Sequence, residues 1–360
     1  MNRIKQLDGL RGIAVILVLL FHYLNNSYSN SESTYLNQFE ISISKITSIG
    51  WVGVNLFFVL SGFLIATTLL NNRKSSSFFS TFYLRRFSRI IPIYFLLLLL
   101  YFFFANYFKY IDTVLFEKPI PLYHYFLFIQ NFVMSSQGHF GPNALTPTWS
   151  LAVEEQFYLL IPFLIFYLTD KQLLFCCLLL MSTSPIFRFY SSNWYQEYTH
   201  FLSRMDAPCY GVLAALLIKN KNWWIFLKRN LFILFGTFII LIFLFLVMHF
   251  KCLNHSIISI VFFFALLGIL ELQANHFFYK LLSSKLLTTI GLYSYFIYLY
   301  HQLINGLLFL SFSKNLNPVL ENHQDYLIEI TALLITFILA KVSYKYLESK
   351  FIAFSHQYVY

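Results

Sequence analysis

Charge is what this sequence has least of. Lys, Arg, Asp and Glu together make up 11% of its 360 residues, where a soluble domain carries about 25%. A water-facing surface cannot be built at that density, so a soluble globular fold is excluded. Acidic residues are scarcer still, 15 against 25 basic ones, for a net charge of +10. The four cysteines, Cys176, Cys177, Cys209 and Cys252, have spacings that suit neither a disulfide framework nor a zinc site, and no metal site is expected. The chain also has no Walker phosphate loop, no dinucleotide-binding glycine pattern and no HExxH helix. Chemistry driven by ATP, NAD or zinc is therefore not indicated.

What takes the place of charge is apolar and aromatic: 58% hydrophobic residues, with 44 Phe and 26 Tyr. The apolar runs predict an all-α, polytopic integral membrane protein of about ten transmembrane helices. Their approximate limits are 8–25, 51–70, 88–107, 149–169, 172–190, 205–219, 230–249, 256–273, 288–311 and 327–347. A further apolar piece at 122–134 is too short to span and is expected to be re-entrant or interfacial. The first run has no small-residue cleavage site and is read as a retained span rather than a signal peptide. Seventeen of the 25 basic residues fall on the N-terminal side of the membrane, seven on the other, and Arg11 lies within a span. That bias predicts both termini in the cytoplasm and explains the positive charge without nucleic acid. Residues 1–360 are expected to form a single membrane domain with no fused soluble domain.

Ionisable residues inside spans are costly and by default line a polar interior. Arg11 and His22 are eleven residues apart, so on a helix they share one face and are separated by roughly 16 Å. The competing reading is that Arg11 snorkels and His22 faces water at the interface. Arg86 and Arg89, three apart at the cytoplasmic entry to the third span, could grip phosphates bidentately or simply touch lipid headgroups. In TPTWSLAVEEQFY, Ser150, Glu154 and Tyr158 follow at four-residue steps along one face. Glu154 falls at a depth where it could pair with His22 and orient it; alternatively, Thr148 or Ser150 caps the helix, with acids in its first turns. Arg204 and Asp206 suggest a local ion pair or a substrate contact. Tyr298 and His301 share a face within the ninth span, with interhelical hydrogen bonding the plainer reading for Ser294 and Tyr298.

Taken together, these stretches resemble the membrane-bound acyltransferase-3 family, bacterial O-acyltransferases of surface carbohydrates. The carriers are LDGLRGIAV with His22, VGVNLFFVLSGFLI, YLRRFSRIIPIY, TPTWSLAVEEQFYLLIP, RMDAPCYG, LYSYFIYLYH and Glu348 in YLESKF. The resemblance runs over residues 6 to about 351. It implies transfer of an acyl group, typically acetyl, from cytoplasmic acyl-CoA as co-substrate, with no permanently bound cofactor. The implied acceptor is a hydroxyl of lipopolysaccharide O-antigen, capsule or exopolysaccharide, or of a lipid-linked precursor. It further implies a bacterial inner-membrane enzyme, surrounded by lipid. Arg11 and His22 match the family's first-span signature, Arg86 and Arg89 its Arg-x-x-Arg motif, and Ser150 and Glu154 its WSLxxE motif. On this basis His22 is the expected general base, with Glu154 orienting it or binding sugar. Arg11, Arg86 and Arg89 are expected at the co-substrate, with Arg11 or Ser150 stabilising the oxyanion. Trp149, Ser150, Tyr158, Arg204, Asp206 and His301 are expected to support or bind substrate. Asn55 stands where many members have Asp, and YLYHQL departs from the usual ending of its motif. The hydrolase-like domain of longer members is expected to be absent. A small-molecule or lipid acceptor, and a transporter or flippase without chemistry, are the alternative functions.

Overall fold

The computed structural model of the chain describes residues 4–25, 38–226, 228–230, 236, 239, 251–313, 316–320 and 322–360. Among these residues there are helices and connections but no strand. The principal helices are α1 (Lys5–Leu20), α2 (Val52–Asn71), α3 (Phe78–Tyr107), α4 (Thr148–Tyr167), α5 (Asp170–Phe189), the short α6 (Trp194–Thr199), α7 (Asp206–Lys219), α8 (Asn254–Leu270), α9 (Lys285–Phe312), α10 (His323–Ser343) and α11 (Ser349–His356). A π-helical turn, Phe21–Asn25, continues α1 and carries His22.

Among the described residues, six helical stretches are long and apolar enough to cross a membrane: Lys5–Leu24, Ile43–Asn71, Phe78–Tyr107, Asn143–Tyr167, Asp170–Phe189 and His323–His356. The chain is thus an all-α, multi-pass membrane protein. These stretches coincide with the first five expected spans and the last. The expected spans at 205–219, 256–273 and 288–311 correspond to α7, α8 and α9. The first two are short, and α9 is diluted by four Tyr, His301, Gln302 and Asn305. The expected span at 230–249 lies almost entirely outside the described residues.

Burial separates the helices into an inner and an outer set. The apolar surface of α2 is buried along nearly its whole length, as an all-round apolar helix in a bundle core should be. By contrast α3, α5 and α10 expose Leu99, Phe103, Phe175, Leu334 and Ile338, the faces that meet lipid. The 122–134 piece does not span. It forms two short helices, Leu122–Phe126 and Gln130–Gln137, interrupted by Phe128 in a left-handed conformation (φ 54°). The amide of Gln156 on α4 donates to the Phe128 carbonyl at 2.7 Å, satisfying backbone that lipid could not.

Backbone-to-backbone contacts at glycines hold the inner set together, as two of them illustrate. Gly62 of α2 lies against the Pro208 carbonyl of α7, and Gly211 of α7 against the Val59 carbonyl of α2. Gly12 of α1 and Gly291 of α9 face each other in the same way. In lipid, where helix association gains little from hydrophobic exclusion, such close approach supplies the packing and only glycine permits it. We expect Gly211→Val and Gly291→Val to lower the melting temperature sharply, at overpacking costs of about 1–3 kcal/mol or more. Gly268→Ala, whose added Cβ meets nothing within 4 Å, should leave it unchanged. Thermal unfolding in detergent reads the difference.

Candidate active site

Three cavities lie in file through the inner helices. The one at the N-terminal end of α1 encloses about 450 Å³ and is bordered by Asp8, Arg11, Arg86, Arg89, Tyr295 and Glu348. It shares Arg11, Arg86, Arg89 and Tyr295 with a narrow neck of about 80 Å³, which also meets Ser61, Ser150, Glu154 and Tyr158. The neck shares Val54 and Tyr298 with a third chamber of about 460 Å³ bordered by His22, Trp51, Trp149, Trp194, Tyr198 and His255. Arg11 and His22, from one helix, open at opposite ends of this file.

His22 meets another imidazole. His301 Nε2 lies 3.1 Å from His22 Nδ1, with ring centroids 4.9 Å apart. His301 is fully buried, and its Nδ1 faces only the carbonyls of Tyr298 (2.7 Å) and Ile297 (3.1 Å). A ring nitrogen that faces carbonyls must carry the proton, which leaves the His301 Nε2 lone pair aimed at His22. His22 Nδ1, which also faces the Val18 carbonyl at 3.1 Å, is then the N–H donor. That tautomer leaves the lone pair of His22 Nε2 as the proton acceptor.

Glu154 does not join this pair. The Tyr158 hydroxyl donates to its Oε2 at 2.9 Å, and Ser61 Oγ lies 2.5 Å from the Tyr158 hydroxyl. Arg86 sits over the Tyr158 ring at 5.5 Å. Glu154 lies on the neck with Ser150 and the arginines, while His22 opens on the next chamber. The helix-capping alternative also fails, for Thr148 Oγ1 donates to Leu145 O (2.6 Å) and Ser150 Oγ to Pro147 O (3.1 Å). With its proton so engaged, Ser150 accepts from Tyr298, the hydroxyls being 2.6 Å apart. Of the two expected oxyanion donors, neither opens on the His22 chamber: Arg11 and Ser150 both lie on the neck.

The Arg204–Asp206 pair is likewise rearranged. Asp206 Oδ2 binds the fully buried Arg188 at 2.9 Å and accepts from Ser256 Oγ at 2.5 Å. The chain breaks between them, Arg204 ending the one-turn helix Phe201–Arg204 and Asp206 opening α7, so Asp206 turns to Arg188 of α5 and Arg204 to other partners. Arg204 is buried under a ring cage, 5.2 Å from Tyr198, 5.5 Å from Trp149 and 5.6 Å from Phe58. It donates to Asn55 Oδ1 at 2.8 Å, and Asn55 in turn donates to the His255 carbonyl at 3.1 Å. Burial raises the Tyr198 phenol above its ordinary range, with the Arg204 charge pulling the other way.

Several of these groups were not visible as a set beforehand. The spacing of Tyr298 and His301 had marked a shared face, but not that the first joins two cavities and the second touches His22. Trp194 and Tyr198 come from the short α6 and His255 from α8, and no periodicity aligns them.

Comparison with known proteins gives a consistent result. Residues 4–344 match the acyltransferase-3 family, described as an acyltransferase domain. The chain is similar to proteins named O-acetyltransferase OatA from Staphylococcus aureus strains NCTC 8325 / PS 47, COL and MRSA252. Each is 27% identical over 364 residues, covering 95% of this chain and 56% of the relative. The chain thus spans about half the length of these curated relatives. No solved structure matches it.

The buried Arg188–Asp206 pair makes a direct prediction. Asp206→Asn strands a guanidinium in the interior and should destabilise the protein by about 3–5 kcal/mol. The double change Arg188→Met/Asp206→Leu, which removes both charges, should melt at a higher temperature than Asp206→Asn alone.

Proposed function

The chain belongs to the acyltransferase-3 family, and from that premise we propose that it transfers an acyl group, acetyl in the simplest case, from acyl-CoA to a hydroxyl of a cell-surface carbohydrate. The observation that carries this reading is the file of cavities with three arginines at one end and the lone pair of His22 at the other. An acyl-CoA is a polyanion joined by a slim arm to a thioester, and it suits an arginine-lined vestibule followed by a neck. The loop-charge bias supports an arginine end in the cytoplasm, where acyl-CoA is made, and a His22 end on the far side of the membrane.

In this mechanism Arg86, Arg89 and Arg11 bind the phosphates and the head of the arm. The arm runs along α1 and covers roughly 16 Å between Arg11 and His22. His22 Nε2 removes the proton of the acceptor hydroxyl as its oxygen attacks the thioester carbonyl. The tetrahedral intermediate collapses, the C–S bond breaks, and the thiolate leaving group takes the proton from the imidazolium. His301 accepts from His22 Nδ1 throughout, holding the base in its working tautomer, a role a carboxylate fills in other enzymes. Glu154, tied to Tyr158, balances part of the arginine charge in the neck rather than assisting the base.

Surface glycan from cells carrying the wild type, His22→Ala or no protein, analysed by mass spectrometry before and after mild alkali, tests the reading. Alkali-labile acyl mass is expected with the wild type only, with a loss of about 10²- to 10⁴-fold for His22→Ala. Identical spectra in all three would sink a glycan acceptor. His301→Ala should lose less, on the order of 10- to 100-fold, and His301→Gln, which keeps an acceptor atom, should recover part of it. Full activity of both would remove His301 from the mechanism.

A further inference from the structure

The His22 chamber has a feature that acyl transfer alone does not require. At its mouth Trp194 is 54% exposed yet borders the cavity. Its ring lies nearly parallel to Tyr198, with centroids 4.9 Å apart and planes at 18°. Tyr198 therefore stacks on one face of the indole, the rings of Phe140 and Tyr195 meet it at steep angles with centroids 5.7 and 5.2 Å away, and the residue still keeps more than half of its surface open. Tyr198 also touches the ring of Trp149, at 4.8 Å between centroids, one layer further in. Behind them, Nε and Nη1 of Arg204 are buried without a hydrogen-bond partner, so that guanidinium is committed largely to the ring faces. The result is a rack of aromatic planes, fixed from beneath by a buried cation, that leads from the surface to His22.

We propose that this rack is a glycan-binding subsite and that the acceptor is held as a chain of pyranose rings. Trp194 stacks a sugar at least one unit away from the one whose hydroxyl reaches His22. The inference rests on the acyltransferase reading above and specifies its substrate. A pyranose presents an apolar C–H face and a rim of hydroxyls. The exposed part of the indole matches the first, and Asn254 and Gln302, which also line the chamber, match the second. An aliphatic or lipid acceptor would leave that polar edge unmet. An aromatic that only anchored the protein at the membrane interface would face headgroups and not a cavity. One packed for stability alone would be buried, whereas Trp194 is half exposed.

The test uses full-length protein in detergent or nanodiscs with acetyl-CoA. The acceptors are fragments of the source organism's surface glycan, freed of acyl groups by mild alkali and graded from one to four sugar residues. For the wild type, KM should fall about five- to tenfold from the single sugar to the longer fragments, the range a single stacking contact supplies. In Trp194→Ala that advantage should shrink to twofold or less while kcat on long fragments changes little. Trp194→Phe should restore much of it, and it carries the comparison if the alanine variant does not fold. A wild-type KM independent of length, or a length advantage that survives in Trp194→Ala, overturns the subsite while leaving the acyltransferase reading intact. If the wild type acylates no glycan fragment but does acylate a lipid or small-molecule extract, the glycan acceptor falls and the subsite with it.

Discussion

The contact between α1 and α9, in which Gly12 and Gly291 let two backbones meet, is the constraint on which the functional geometry depends. His22 follows the first of these glycines by ten residues and His301 follows the second by the same number. Once the two helices are pressed together at the glycines, the two imidazoles arrive at the same depth and meet at 3.1 Å. The same packing leaves Arg11 and Tyr295 on the wall that separates the vestibule from the neck. A gap of a few ångströms here would break the imidazole pair and merge the chambers.

Electrostatics inside the bundle follows from how few carboxylates it contains. Asp206 is taken up by Arg188 and Ser256, so Arg204 must find other partners. It finds them in ring faces and in the neutral amide of Asn55. The shortage of acidic groups in the sequence is thus the reason that a cation ends under an aromatic floor. Glu154, bound to Tyr158, sits among the arginines, and with Asp8 and Glu348 it matches Arg11, Arg86 and Arg89 in number around the neck and vestibule.

The polar contacts form layers along the file. Ser61, Tyr158 and Glu154 make a hydroxyl-to-carboxylate chain at the arginine end. Ser150 and Tyr298 make the boundary, and Tyr298 is also the carbonyl that fixes the His301 proton. α9 therefore links the wall of the neck to the tautomer of His22 within four residues. Such satisfied networks are rigid in a low-dielectric interior, which is what a reacting geometry needs.

The sequence by itself determined the class of fold, because a chain with 11% charge and repeated apolar runs has no other way to satisfy its backbone than helices in lipid. It also determined the stripe from Arg11 to His22 and the shared faces of Arg86 with Arg89 and of Ser150 with Glu154 and Tyr158. Those depend only on residues per turn. Which stripe faces which was decided by tertiary structure alone. Glu154 and His22 are level when depth is counted along separate helices, yet they line different cavities. Arg204 and Asp206 are neighbours in sequence, yet the break between their two helices sends them to different partners. The meeting of His22 with His301, and of Trp194 with Tyr198 above Arg204, joins segments far apart in the chain, and no local periodicity encodes a distance across a bundle.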